Sequence, residues 1–209
     1  KMEAGKGFFI ARRLTIDKGD VSKLPEFIHA KKEAIDKKKP EGLHWGVAGL
    51  VIGAPTPTAV VLSHWTDAEH LKAFHDSEGY KKQLDLISEW SSQPPQDYKI
   101  QLLTDAVQPK TGHVLEIYSY VVANADREAL KGQFHSDVLP AFKSAKGFVN
   151  LGYGVGHAET ADSTKIVSAI EWDSEESYKA HHADAGFQEI VGKFTPKVSD
   201  VKNYAITIA

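Results

Sequence analysis

The 209 residues fall between one large domain and two small ones, and a 42% hydrophobic content is enough for a packed core rather than a disordered chain. A formal net charge of −3 provides no basic field for nucleic acid. The lack of cysteine excludes disulfides, thiolate catalysis and cysteine-ligated metals, and it fits a reducing, cytoplasmic setting. No run approaches the ~20 apolar residues that cross a bilayer, and the first seven residues lack the apolar centre of a signal peptide. Lys1, ahead of the only methionine, reads as a remnant of cloning, so residues 1–5 are set aside.

Residues Phe8–Ile16 form an apolar, β-branched run and predict a strand, on which Arg12 and Arg13 are conspicuous. A helix follows over Asp20–Lys38, with Leu24, Phe27, Ile28 and Ile35 on one face and Pro25 in the first turn, where its missing N–H costs little. The lysines at 31–32 and 37–39 read as a solvated helix end, or else as a patch for phosphate or lipid. Beyond Gly42, strands are expected at Leu43–Gly53 and Thr58–Trp65. A helix then starts at a Thr66 or Asp67 cap, with Glu69 placed to complete a capping box and Gly79 marking a break. Tyr98–Thr104 is a last strand, and the polar stretch Asp105–Thr111, containing Pro109, is a linker.

The same order then recurs. His113–Val122 is a strand, and Asp126–Ser144 is a helix with Leu130, Phe134, Val138 and Phe142 on one face, which Pro140 should kink. Strands at Phe148–His157 and Thr164–Trp172 follow Gly147 and flank a turn at Glu159–Ser163. A helix capped by Asp173 or Ser174, with Glu176 as the box partner and Gly186 at its break, leads to a strand at Lys202–Ile208. The segment from Trp65 to Tyr80 aligns without gaps on that from Trp172 to Phe187, 107 positions later, pairing Lys72-Ala73 with Lys179-Ala180, His75 with His182 and Gly79 with Gly186.

The fold class is therefore α+β: two tandem ferredoxin-like β-α-β-β-α-β units, spanning 7–104 and 112–208. Strands that are apolar on consecutive residues, such as Val47–Val51 and Val60–Leu62, need cover on both faces. Helices supply one cover, and the other unit's sheet, packed face to face, supplies the second.

Several residues here carry a family resemblance. The run Glu171-Trp172-Asp173-Ser174-Glu175-Glu176, then Lys179-Ala180-His181 and Phe187, resembles the strand-end tryptophan, acidic cap, helix histidine and following aromatic of the dimeric α+β barrel superfamily. The similarity is to its antibiotic-biosynthesis-monooxygenase and quinol-monooxygenase-like domains. Ala145-Lys146-Gly147-Phe148 and Pro40-Glu41-Gly42-Leu43 resemble that family's turn before the second strand. The resemblance implies an intramolecular dimeric α+β barrel, so that one chain acts as its own pseudo-dimer, with pairing of whole chains left open. Departures are equally specific. The family's helix histidine is His181 in the second copy but Phe74 in the first. Haem-ligating positions of relatives fall at Leu84 and Val191, and a cyclase-type helix histidine would fall at Tyr80 and Phe187, whereas His113 does match a cyclase histidine.

The resemblance implies a small-molecule enzyme, a cofactor-independent oxygenase or cyclase that acts on an aromatic, polyketide-like or quinol substrate. The alternative is a non-catalytic ligand-binding or stress-associated barrel. His181 is the expected catalytic base, with Trp172 beside it. His113, Tyr118, Arg12, His64 and Glu171 complete the expected substrate-binding set. His64 and Glu171 hold equivalent positions before the two tryptophans, where two-fold pairing could bring them together. One of Arg12 and Arg13 must point into a covered face and needs Glu116, Glu171 or a ligand carboxylate or phenolate as partner. Trp45, Trp65, Tyr120 and Tyr153 could wall a pocket or simply be core. His75 and His182 are expected to face outward or sideways. No cofactor and no metal are expected: adjacent His181 and His182 lack helical i, i+4 ligand spacing. The Gly152, Gly154, Gly156 alternation reads as strand rather than nucleotide loop.

Overall fold

The computed structural model describes residues 7–37, 39–104, 108–156 and 161–209, without the side chains of 31, 34–36, 97 and 98. The first six residues, Lys38, the start of the linker, the side chain of the face residue Ile35, His157 and the first part of the Glu159–Ser163 turn thus lie outside what is described.

Eight antiparallel strands form one closed barrel. In chain order they are β1 (Phe8–Thr15), β2 (Leu43–Val51), β3 (Thr58–Trp65), β4 (Gln96–Leu102), β5 (Val114–Ala123), β6 (Phe148–Gly156), β7 (Ser163–Trp172) and β8 (Ser199–Ile208), and their order around the barrel is β1-β3-β2-β8-β5-β7-β6-β4. Each set of four has the ferredoxin-like order. The face-to-face sheets and the intramolecular barrel that the resemblance implies are both present. The sheet edges join at β2–β8 and β4–β6, so every edge is paired. These seams are short: Gly49↔Ile208 to Val51↔Ile206 on one side, Ile100↔Gly156 to Leu102↔Gly154 on the other. Equivalent glycines permit both closures. A Cβ on Gly49 would lie 2.1 Å from the Thr207 carbonyl oxygen, and one on Gly154 would lie 2.4 Å from that of Gln101. The glycine alternation of β6 is thereby a seam, as its strand-like reading implied.

Alternation along each strand splits the apolar residues into layers. Phe9, Trp45, Val60, Leu62, Ile100, Leu115, Ile117, Val167 and Ile206 fill the barrel bore. The outer faces lie under helices: α1 (Leu24–Lys37), α2 (Ala68–His75) and α3 (Glu78–Ser88) in the first half, and α4 (Arg127–Gln133), α5 (Leu139–Ser144), α6 (Glu175–Ala183) and α7 (Ala185–Phe194) in the second. The kink expected at Pro140 takes the form of a π-turn over Phe134–Val138 between α4 and α5, closed by Leu139 N–H donating to Phe134 C=O. Proline has no N–H for the i−4 carbonyl and its ring crowds it, so the turn widens.

Helix caps fall one residue later than the capping-box reading requires. Asp67 accepts from the Glu69 and His70 N–H groups, and Ser174 from that of Ser177, so the third helical residues are His70 and Ser177 rather than glutamates. The breaks expected at Gly79 and Gly186 likewise fall earlier, where Ser77 and Asp184 cap α3 and α7.

Candidate active site

The α6 helix decides which histidine meets open space. His181 is buried on the sheet side, its ring 4.6 Å from Trp172, 5.1 Å from Phe142 and 3.8 Å from Phe187, and its Nε2 has no hydrogen-bond partner among the described residues. Burial, then the neighbouring His182, push its pKa down to about 4, so at neutral pH the ring is uncharged and a poor proton acceptor. It does not line the adjoining cavity.

His182 does. One step of about 100° around the helix puts it at the end of a cavity of about 170 Å³ between the β5, β7 and β8 surface and the helices, walled by Tyr118, Phe134, Phe142 and Phe187 among others. The expectation that His182 faces outward or sideways is corrected accordingly. Beneath it lies Glu116, 1% exposed, on the outer face of β5. The Glu116 carboxylate accepts from His182 Nε2 at 2.8 Å, Asn203 Nδ2 at 2.9 Å and Trp172 Nε1 at 3.1 Å. A carboxylate has no proton to donate, so Nε2 carries the hydrogen and Nδ1 keeps the lone pair that can take a substrate proton.

A second opening of about 370 Å³ shares Tyr120, Phe134 and Ser168 with the first, and Tyr153 and His135 help to line it. Burial raises the phenol pKa of Tyr118 and Tyr120, with Thr195 partly offsetting it at Tyr118, so both remain hydroxyl donors at neutral pH.

The remaining expected residues are dispersed. Trp172 is fully buried and anchors Glu116 rather than facing ligand. Tyr118 lines the cavity. Glu171 points into the bore and accepts from His113 Nδ1 at 2.7 Å and the Lys110 N–H at 3.1 Å, so its partner is His113 and not His64. Beside Glu171 is a void of only about 40 Å³. His64 packs on His44 and Trp45 at the same end of the barrel. Arg12 lies in the first half with its guanidinium over the Tyr80 ring and bonded to the Tyr80 hydroxyl, so neither glutamate is its partner. Glu116 was within reach of sequence reasoning. It is the lone acid among the outward positions Val114, Tyr118, Tyr120 and Val122 of its strand, a pattern that demands buried donors.

Strand order, closure and helix placement make the fold a dimeric α+β barrel with both halves in one chain. No family model and no curated protein matches the sequence. Solved structures do match. A candidate monooxygenase from Fusobacterium nucleatum subsp. nucleatum aligns over 99% of this chain and 94% of its own, at 10% identity and a TM-score of 0.71. One from Lactobacillus acidophilus covers 97% and 94% at 12% identity and 0.67, and an anthrone oxidase-like protein covers 99% and 92% at 13% identity and 0.70. Such identities establish the shared fold; the chemistry has to be argued from the site.

Proposed function

We propose that the second-half cavity is the active site of a cofactor-independent oxygenase acting on a phenolic or quinol-type polycycle, with His182 as base and Glu116 as its positioning residue. The observation that carries this is the buried carboxylate bonded to a histidine at the end of an aromatic-walled cavity. The monooxygenase and anthrone-oxidase descriptions of the fold's neighbours support it.

An anthrone illustrates the chemistry. His182 removes a ring-methylene proton, and the anion spreads over the polycycle, where Tyr118 and Tyr120 can donate to the developing oxyanion. The anion gives one electron to O2, and the radical and superoxide combine through a new C–O bond. The peroxide takes the proton back from the imidazolium, and loss of water leaves the quinone carbonyl. One O2 is consumed and one water formed, and the substrate itself is the reductant.

The test is O2 uptake and absorbance change with 1,8-dihydroxyanthrone, comparing buffer, wild type and His182→Ala. Wild type should accelerate quinone formation, and the variant should lose about 10²–10⁴-fold. If wild type binds the compound but matches the buffer rate, the cavity belongs to a carrier and the oxygenase reading fails.

A further inference from the structure

The opposite side of β8 carries a different surface. At the barrel mouth where β1, β2, β5 and β6 end, a cavity of about 590 Å³ opens into the bore. Alternation turns Arg13 of β1, Lys165 of β7 and Lys202 of β8 toward it, and no acidic residue is among the described side chains that line it. Lys165 is drawn well in, its side chain only 15% exposed. Asp200, outside the lining, faces both lysines, 3.8 Å from Lys165 and 3.1 Å from Lys202. Arg13 has no carboxylate partner among the described residues; its guanidinium sits 5.8 Å from the Tyr204 ring centroid. The floor is apolar, made by buried Ile100 and Ile117.

We infer that this mouth is a second ligand site, separate from the His182 cavity, that binds a small organic carboxylate with a flat apolar body. The charge of the lining selects an anion. Arg13 offers the planar fork that a carboxylate matches, and the bore accepts the apolar part. The concave mouth suits a compact molecule, and the chain's net charge of −3 argues against a nucleic acid or an anionic membrane as the occupant. Asn203 borders both cavities, but Glu116 and His182 lie outside the mouth's lining, so this inference stands apart from the oxygenase reading.

Titration of the isotope-labelled full chain with 2-naphthoate, followed by NMR, tests it. Saturable amide shifts should appear at Arg13, Lys165 and Tyr204, weakening with salt. Neutral 2-naphthalenemethanol should bind about tenfold more weakly or worse, and Arg13→Gln should lose a similar factor. Lys202→Gln, at an exposed position, provides a second variant whose fold is not at risk and should also weaken binding. Glu116→Gln should leave the mouth shifts in place. No saturation at millimolar ligand, shifts confined to the neighbours of His182, or unchanged affinity in both mouth variants would overturn the site.

Discussion

Val114 pairs with Trp172 in the second half just as Phe8 pairs with Trp65 in the first, and two residues along the strand the halves part company. There the second half carries Glu116 and the first carries Ile10. Both are buried, yet only one needs donors. The tryptophans follow suit: Trp172 donates to Glu116, while Trp65 donates to Ser63 Oγ at 2.9 Å on its own strand. Downstream, Tyr118 and Ser168 of the second half replace Arg12 and Val61, and His75 stacks on Tyr80. One duplicated scaffold thus holds a polar, partly open helix–sheet layer on one side. On the other it holds two apolar clusters, around Leu14, Leu24 and Ile28 and around Ile10, Trp65 and Leu71. The lesson is that a buried charge is introduced as a unit with its donors, which is why the change is confined to one half.

The largest test of this contrast is activity. His182→Ala should lower turnover by about 10²–10⁴-fold while His75→Ala, at the equivalent position, leaves it within about twofold, measured as initial rates on an identified substrate. Equal losses in both would mean that the halves share the work.

Next comes stability, by exchanging the residues at the divergent position. Ile10→Glu buries a carboxylate with no prepared donors and should cost about 3–5 kcal/mol, seen in denaturant or thermal melts. The reverse change, Glu116→Ile, removes an anion but strands the Trp172 and Asn203 N–H groups, for a smaller loss of about 1–3 kcal/mol. A Glu116→Ile protein as stable as wild type, together with a tolerated Ile10→Glu, would mean that the two layers differ less than their hydrogen bonds imply.

Much of the fold was legible because it is written in periodicity. Paired tryptophans, stop glycines and apolar runs located eight strands and the tandem arrangement, and strands apolar on both faces demanded a second cover. Edge closure was implied by the family resemblance alone, since a three-residue seam leaves no pattern beyond a glycine such as Gly49 or Gly154. At the site, the histidine pair on α6 was visible, but which member meets the cavity depends on helix rotation, a difference of one residue. The family resemblance favoured His181, and packing against Phe142 and Phe187 places His182 at the opening. Glu116 stands out only when the repeat is aligned through the first strand, where its counterpart is Ile10.

The smallest effect at neutral pH, and the most discriminating, belongs to His181→Phe. The first half already holds Phe74 there, 5.1 Å from Trp65, so the packing accepts a phenyl ring. Among the described residues His181 Nε2 has no partner to lose, and stability at pH 7.5 should change by no more than about 1 kcal/mol, with any shift upward. The effect emerges with acid. In the unfolded chain the imidazole takes up a proton near its ordinary pKa of 6.5, whereas burial holds the folded value to about 4. Between those values the unfolded state binds the extra proton. The stability associated with the neutral buried ring is therefore complete above pH 6.5 and is lost as pH falls toward 4. Wild type should lose on the order of 2 kcal/mol more than His181→Phe between pH 7 and 4.5, read from denaturant midpoints at each pH. Parallel pH curves would sink the claim that His181 is held neutral. Turnover separates the two histidines: with the base at His182, His181→Phe keeps most of its rate. A collapse of rate in a folded His181→Phe protein would return the base to His181 and leave His182 and Glu116 as a structural pair.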